Sequence, residues 1–362
     1  MNKKKYFRNK HPRFFLLLRT LKRIVLKDDV YIEKILRFED EADHEYIEVE
    51  HNGSVDYGKT LYIIREVSDR EGFCATIRFI IGYLIFAEQH GFVPEIKLSE
   101  EFVYYDKEKS REIGNPWEYY FLKEDDHYDE AKALNVCYAR FFHMMKMKEY
   151  SGLNAYVTEN YYNEDFFHSS GPVIKKYLTL KPEIVNEATE FLRKAKESNG
   201  KVLGVHFRGT DYRQGYHDHP VYVSEEQTIA EIKKALNAKH FAVVFLATDD
   251  GSVYDKIKDS VEGAEVLQYP DVYRSDGDTS VAFSRSDRKY HHYLLGYEIV
   301  RDMYTLSLCD GLIAGKSSVS FLSNLYKHSR NDEYEYFHII DNGNHTNDKV
   351  FVNPSGENGD DV

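Results

Sequence analysis

The sequence contains few cysteines and no long apolar run, and each absence excludes a class of protein. Only three cysteines occur in 362 residues, Cys74, Cys137 and Cys309, and no two of them form a CxxC pair. This excludes a disulfide-stabilised scaffold and a cysteine zinc site. The longest apolar run near the N-terminus, Phe14 to Leu18, is too short to span a bilayer and short for the core of a secretory signal. We therefore expect a cytoplasmic protein.

Internal repeats, low-complexity tracts and the common phosphate-binding motifs are also absent. No GxGxxG motif follows a predicted strand, which excludes a typical nicotinamide or flavin dinucleotide site. Gly315-Lys316-Ser317 resembles the end of a P-loop, but the first glycine of that motif would fall at Asp310. Strand-like residues stand where the loop should be, so a P-loop is excluded as well.

Basic residues are concentrated at one end of the chain. Residues 1–27 contain ten lysines or arginines and no acidic residue, interleaved with apolar residues such as Phe14, Leu17 and Leu21. Since the whole chain carries −13 and this segment +10, the other 335 residues carry −23. A body this acidic is a poor partner for nucleic acid. The segment itself has two interpretations: an amphipathic stretch lying on the inner face of an anionic membrane, or a flexible start that packs on the acidic body.

Strand and helix patterns alternate along most of the remaining chain and predict an α/β protein with two Rossmann-like, doubly wound domains facing a cleft. The first domain opens with a strand at Leu61 to Ile64, and the second with a strand at Val202 to Phe207. Residues 100–170 fit no clear pattern, and Pro172 and Pro182 indicate a hinge. The predicted domains are residues 1–58 (basic segment and acidic connector), 59–180 (acceptor domain), 181–330 (nucleotide-sugar domain) and 331–362 (return segment and polar tail).

Three polar clusters follow predicted strands of the second domain. They run from His206 to Asp211, from Ala247 to Asp250 and from Gly315 to Ser318. Ligands of open parallel sheets bind beyond the carboxyl ends of the strands, so we expect the clusters to share one edge. Ser317 opens a helix, whose N-terminal N–H groups and dipole favour an anion. The pattern predicts a phosphate-bearing ligand, unless Ser317 merely caps its helix.

Asp302 interrupts the apolar face of a long predicted helix. Helical spacing places it among Leu295, Ile299, Leu306 and Cys309. A carboxylate on such a face must find a partner, because burying it unpaired is costly. It either recognises donor N–H groups, such as those of a guanine edge, or makes a structural hydrogen bond to a loop.

Taken in order, these motifs resemble those of the fucosyltransferases that include α1,6, α1,2 and protein O-fucosyltransferases. His206 to Asp211 resembles their HxRRxD segment, Ala247 to Asp250 resembles ATDD, and Asp302 to Ser318 is similar to their D-x(15)-S block. The resemblance covers residues 200–330, and residues 60–100 more weakly. Gly209 stands where the family has a second arginine, and we hypothesise that Lys316 replaces it. Ala75 and Thr76 stand at the family's first-domain Asn and Gln.

The resemblance implies an inverting GT-B glycosyltransferase that moves fucose from GDP-fucose to a hydroxyl of a glycan or lipid-linked glycan, without a metal or other cofactor. Transfer of another GDP-sugar, or silent binding of a nucleotide or sugar, are the alternatives. In this family Asp302 would contact guanine and the serine block a donor phosphate. The full set of predicted donor-binding residues is His206, Arg208, Asp211, Asp249, Asp250, Asp302, Lys316, Ser317 and Ser318.

The catalytic base is not fixed by the sequence, although Arg208 is expected to assist the departing diphosphate. The family's proposed base falls at Tyr216 here, and a phenol is a poor base near neutral pH. Asp218, His217 and His219 follow in the same loop and are candidates, as is an unidentified residue of the first domain. A metal is expected neither at Asp276-Gly277-Asp278, which lies in a polar loop, nor at the His217/His219 or His291/His292 pairs, whose spacing fits no standard zinc site.

Overall fold

The computed structural model describes residues 12–25, 47–65, 71–123, 128–140, 143, 161–217, 219–275 and 277–349. The chain forms two compact units, residues 1–48 and residues 49–362. The first contains helix α1 (Pro12–Val25), in which apolar side chains recur at helical spacing and are about half exposed, among them Phe14, Leu17, Leu18, Leu21 and Ile24. Among the described residues, no helix is long and apolar enough to cross a membrane.

The second unit begins with a three-stranded parallel sheet. Its elements in chain order are β1 (Leu61–Ile64), α2 (Phe73–Gln89), β2 (Val93–Ile96), α3 (Lys107–Ile113) and β3 (Val136–Tyr138). The strand order is β2-β1-β3. All four residues of the central strand β1 are buried, as a continuous apolar run predicts. The expected opening β-α-β pattern is therefore present.

Two helices lead to the second sheet, α4 (Glu164–Tyr177) and α5 (Pro182–Asn199). Pro182 occupies the first turn of α5, where its missing N–H is tolerated. Pro172 lies inside α4. Both prolines therefore lie within helices, although the sequence indicated a hinge there.

A five-stranded parallel sheet forms the centre of the second half. Its elements are β4 (Val202–Phe207), α6 (Glu225–Ala238), β5 (Val243–Thr248), α7 (Val253–Ser260), β6 (Glu265–Leu267), α8 (His291–Leu308), β7 (Gly311–Gly315), α9 (Ser318–Ser329) and β8 (Tyr336–Ile340). The strand order is β6-β5-β4-β7-β8, so the order reverses between β4 and β7. The predicted α/β class with parallel sheets is confirmed, and this reversal marks where a ligand is expected.

Buried side chains cover both faces of this sheet. Leu203, Val205 and Phe207 of β4 pack toward one apolar cluster, and Val202 packs toward the other. On the second face, Gly204 lets α8 approach closely, because a Cβ there would lie 3.0 Å from Leu306 Cδ2. This close packing fixes α8, and with it Asp302, against β4, which Arg208 directly follows.

Candidate functional site

A cavity of about 540 Å³ lies beyond the carboxyl ends of the second sheet and is also lined by residues from the start of α2. This volume suits a nucleotide-sized or sugar-sized ligand. The second half contributes residues after β4, β5 and β7 and the buried face of α8. The cavity therefore lies where the strand order of the second sheet reverses. Part of its wall is the start of α2, the helix that follows β1 in the first sheet.

Arg208, just after β4, is held at the cavity wall by two carboxylates. Its Nη1 donates to Asp249 Oδ2 at 2.5 Å and its Nη2 to Asp211 Oδ1 at 2.6 Å. Burial opposes the charge, but these carboxylates raise the pKa of Arg208 above its usual value. The guanidinium is thus charged and oriented before a ligand arrives, and its remaining N–H groups are donors suited to a phosphate.

The loop after Arg208 has an uncommon backbone. Thr210 is fully buried and has φ +34°, a conformation that is rare for a β-branched residue. Its hydroxyl donates to Asp249 Oδ2 at 2.6 Å, and the Gly209 N–H donates to Asp249 Oδ1 at 2.9 Å. A single carboxylate, that of Asp249, therefore holds both the loop and the arginine.

The N-terminus of α9 supplies hydroxyl and amide groups at the same edge. Ser317 caps the helix through its bond from Ser320 N, and its Oγ lies 3.2 Å from His206 Nδ1. Burial lowers the pKa of His206 to about 4, so this imidazole is neutral at pH 7. Tyr161 hydrogen-bonds both the N–H and the carbonyl of Ser317 at 2.7 Å. The next residue, Ser318, lines the cavity at the positive end of the helix.

Asp302 lies on the wall formed by α8. The helical face predicted for it is buried, with Leu295 1% and Asp302 8% exposed. Burial raises the pKa of Asp302 to about 7, although Arg301 and Arg274 oppose the shift. Among the described residues, no hydrogen bond to its carboxylate is present. A buried acceptor that lines a cavity without a protein donor is suited to ligand N–H groups.

Two cavity-lining residues of the first half were not predicted as site residues from the sequence. Arg78 on α2 is 7% exposed, and its Nη1 donates to Ser318 Oγ at 3.0 Å, which joins α2 to the start of α9. Glu71, just before α2, also lines the cavity, and burial raises its pKa despite the opposing charge of Arg78. In the sequence, Arg78 is one polar residue within an apolar helix, and nothing indicates which way it points.

The structure brings together most of the predicted donor-binding residues. The cavity is lined by His206, Arg208, Asp211, Asp249, Asp302, Ser317 and Ser318, and by the candidate bases His217 and His219. Asp218 lies outside the described residues.

Two further predicted donor-binding residues, Asp250 and Lys316, do not line this cavity. Asp250 pairs with Arg213 and accepts from Ser252 N at 2.7 Å. Lys316 Nζ pairs with Asp341 at 2.8 Å. Lys316 lines a smaller neighbouring pocket together with His206 and Arg208, so its replacement of the missing second arginine stays a prediction.

In the Asp276-Gly277-Asp278 motif, the acidic residue that the structure describes has protein partners. Asp276 lies outside the described residues, while Asp278 lies 3.9 Å from Arg213 and accepts from Gln214 at 3.2 Å. Among the described residues, no cluster of three metal-ligating side chains lines the cavity.

The fold and the cavity define an α/β protein with two parallel sheets and a nucleotide-sized site at the reversal of strand order. A scan against protein-family models and a search of curated proteins each found no match. The chain is similar in structure to NodZ α1,6-fucosyltransferase soaked with GDP-fucose, with 14% identity over 74% of this chain and 92% of that chain (TM-score 0.43). It is also similar to fucosyltransferase NodZ from Bradyrhizobium (15%, 73% and 92%, TM-score 0.44) and to POFUT1 in complex with GDP (11%, 79% and 99%, TM-score 0.42).

Proposed function

We propose that the protein is a metal-independent, inverting glycosyltransferase that uses GDP-fucose. The observation that carries the proposal is the pairing, in one cavity, of a buried carboxylate without a protein donor and a pre-oriented arginine beside a helix N-terminus. Asp302 is the acceptor for the N1–H and N2–H donors of guanine. Arg208 and Ser318 face the diphosphate. The choice of fucose rests on the motif resemblance, because Asp302, Arg208 and Ser318 indicate a guanine nucleotide and not a particular sugar.

Arg78 supplies the second positive charge at the diphosphate. Arg208 is already matched by two carboxylates, so it cannot by itself balance the charge that develops as GDP leaves. Gly209 cannot be an arginine here, because even a Cβ would lie 2.6 Å from Asp250 Oδ2. Arg78 reaches the same helix N-terminus from α2. Preorganised donors of this kind stabilise the departing phosphate in the transition state.

The reaction is a single displacement at the anomeric carbon. The acceptor hydroxyl attacks that carbon, the bond to the β-phosphate oxygen breaks, and the electron pair leaves with GDP. The hydroxyl proton passes to a general base. Glu71 is our choice for that base, because it lines the cavity and its raised pKa makes its carboxylate a stronger base than an exposed glutamate.

The test is release of GDP from GDP-fucose and from other GDP-sugars, in the presence of an acceptor panel. We expect turnover with GDP-fucose, and a loss of about 10²-fold or more in Arg208→Ala. Turnover with a different GDP-sugar would correct the donor, and tight GDP binding without any turnover would support a silent binding protein. Normal turnover by Arg208→Ala would contradict the proposed site.

The base is tested by comparing Glu71→Gln with Asp218→Asn, His217→Ala and His219→Ala. Glu71→Gln should lose about 10²-fold or more in kcat while GDP affinity stays unchanged. If Glu71→Gln is fully active and one variant of the loop loses turnover instead, the base lies in that loop.

Metal independence is supported by the donors already present at the phosphate position, Arg208, Arg78 and the α9 N-terminus. Turnover should survive EDTA. Strict dependence on Mn²⁺ or Mg²⁺ would favour a role for Asp276 and Asp278.

We further propose that residues 1–27 attach the protein to the inner face of an anionic membrane, close to a lipid-linked glycan acceptor. The support is charge complementarity: the segment has ten basic residues and no acid. Helix α1 adds an exposed apolar face, with Leu17 54% and Ile24 53% exposed. Each basic residue near an anionic surface contributes about 1 kcal/mol to such binding.

A further inference from the structure

A second cluster of ligating side chains lies where α4 packs against the C-terminal end of α9. It consists of His168 on α4, His328 on α9 and Glu333 just beyond α9, and one ligand atom of each lies within 4.8 Å of the others. None of the three lines the nucleotide-sized cavity. The proposed transfer reaction therefore makes no use of them.

The two imidazoles are in direct contact. Their ring centroids are 5.0 Å apart and their planes meet at 89°. His328 is 8% exposed and stacks on Phe167. Its Nδ1 is buried and has no hydrogen-bond partner among the described residues. A buried imidazole normally has its nitrogens satisfied, so His328 has an unmet requirement that a bound ion, or a water attached to one, can meet.

The distances between the three side chains suit a metal site that contracts slightly when an ion binds. Zinc–nitrogen bonds of about 2.0–2.1 Å in a tetrahedral site place neighbouring donor atoms about 3.3 Å apart. The ligand atoms of the three side chains lie within 4.8 Å of one another, so they need to approach by a short distance only. His168 and Glu333 are surface side chains, and changes of rotamer can bring them inward. Glu164 precedes His168 by one turn of α4, so it lies on the same helical face and offers a further carboxylate.

We propose that His168, His328 and Glu333 form a Zn²⁺ site that joins α4 to α9. Two imidazoles and a carboxylate are a common zinc donor set, with water or Glu164 in the fourth position. Because α9 presents Ser317 and Ser318 at its opposite end, the ion would stabilise the helix that holds the phosphate site without touching the phosphates. The inference is independent of the transferase activity.

The test is titration of Zn²⁺ into the metal-free full-length protein, followed by calorimetry and thermal unfolding. We expect one site per chain and a rise in the unfolding temperature on Zn²⁺ addition. His168→Ala and Glu333→Gln, both at exposed positions, should each weaken Zn²⁺ binding about tenfold or more and remove the rise. His240→Ala, at an exposed histidine outside the cluster, is the matched control.

Co²⁺ provides a second readout, since a four-coordinate site gives a strong visible absorption that the His168→Ala protein should lack. Equal Zn²⁺ affinity and stoichiometry in His168→Ala, Glu333→Gln and His240→Ala would overturn the proposal. Failure of the wild-type protein to bind Zn²⁺ would overturn it as well.

Discussion

The role proposed for Asp302 links the stability of the fold to the choice of ligand. Burial raises the pKa of Asp302 to about 7 in the folded chain, against about 3.9 for an unperturbed aspartate. Between these two values the folded state holds a proton that the unfolded state has lost, so the free energy of unfolding falls as the pH rises from about 4 to 7. Two N–H groups of a guanine ring would favour the ionised form and lower this pKa in the complex.

The pH dependence of donor binding tests this role. We expect the affinity for GDP-fucose to fall about tenfold between pH 8 and pH 6, because binding must then first remove a proton from Asp302. The pyrophosphate diester does not itself titrate in this range. Calorimetry at several pH values measures the effect, and Asp302→Asn should bind weakly at all of them.

The same variant separates binding from structure. Asp302→Asn should be at least as stable as the wild type at pH 8, because it removes a buried charge. If the variant is less stable at pH 8 and binds GDP-fucose normally, the carboxylate serves the fold alone.

Close packing leaves no room for a side chain at Gly209. A Cβ at this position would lie 2.6 Å from Asp250 Oδ2 and 2.7 Å from Asp250 Cβ. Gly209→Ala should therefore lower the free energy of unfolding by about 1–3 kcal/mol, as overpacking does. Gly72→Ala is the matched control, since a Cβ there meets nothing within 4 Å. Equal denaturant midpoints for the two variants would show that the loop can move aside.

At the scale of elements, apolar runs made the second sheet predictable. The apolar run from Val202 to Phe207 predicts a strand, and these residues form β4. Residues 100–170 were not predictable, because β3 has only three residues and the helix that begins at Glu164, α4, continues through Pro172. A Cβ added at Gly171 would lie 3.5 Å from Ser329 Cα, so close packing of α4 against α9 outweighs the local preference of Gly-Pro to end a helix.

The site residues that directly follow strands of the second sheet were predictable from the sequence. Those that reach the cavity from the first half of the fold were not. Arg208, Asp249 and Ser317 come directly after strands of one sheet, and parallel topology places them at one edge. Arg78 lies on α2, and Glu71 lies just before it, so both belong to the half of the fold that contains the first sheet. Their approach depends on how the two halves pack, which local periodicity does not encode.

The C-terminal segment holds the loop that carries the candidate histidines. His217 N donates to Lys349 O at 2.7 Å, and His345 N donates to His219 O at 2.9 Å. Deleting residues 344–362 should lower kcat about tenfold or more through misplacement of this loop, with GDP affinity preserved. Deleting only residues 351–362 is the control. Unchanged turnover in the longer deletion would show that the loop does not contribute to catalysis.

At the scale of the whole molecule, charge divides the chain into a basic start and an acidic body. Deleting residues 1–27 should abolish binding to vesicles that contain anionic lipid while leaving turnover of a soluble acceptor unchanged. Co-sedimentation with anionic and with neutral vesicles measures the first effect. Leu17→Asp combined with Leu21→Asp tests the apolar face without removing a basic residue. Loss of turnover in the deletion would place the segment within the catalytic fold.

In the proposed complex, Asp302 accepts hydrogen bonds from the guanine base and Arg208 donates to the phosphates. The most direct measurement is calorimetric binding of GDP, ADP and UDP in the presence of EDTA. We expect GDP to bind about tenfold or more tightly than the other two, because only guanine offers Asp302 two adjacent N–H donors. Asp302→Asn should remove this preference, whereas Arg208→Ala should weaken all three nucleotides alike. Equal affinity of the wild-type protein for the three nucleotides, or a preference for ADP or UDP, would contradict the account.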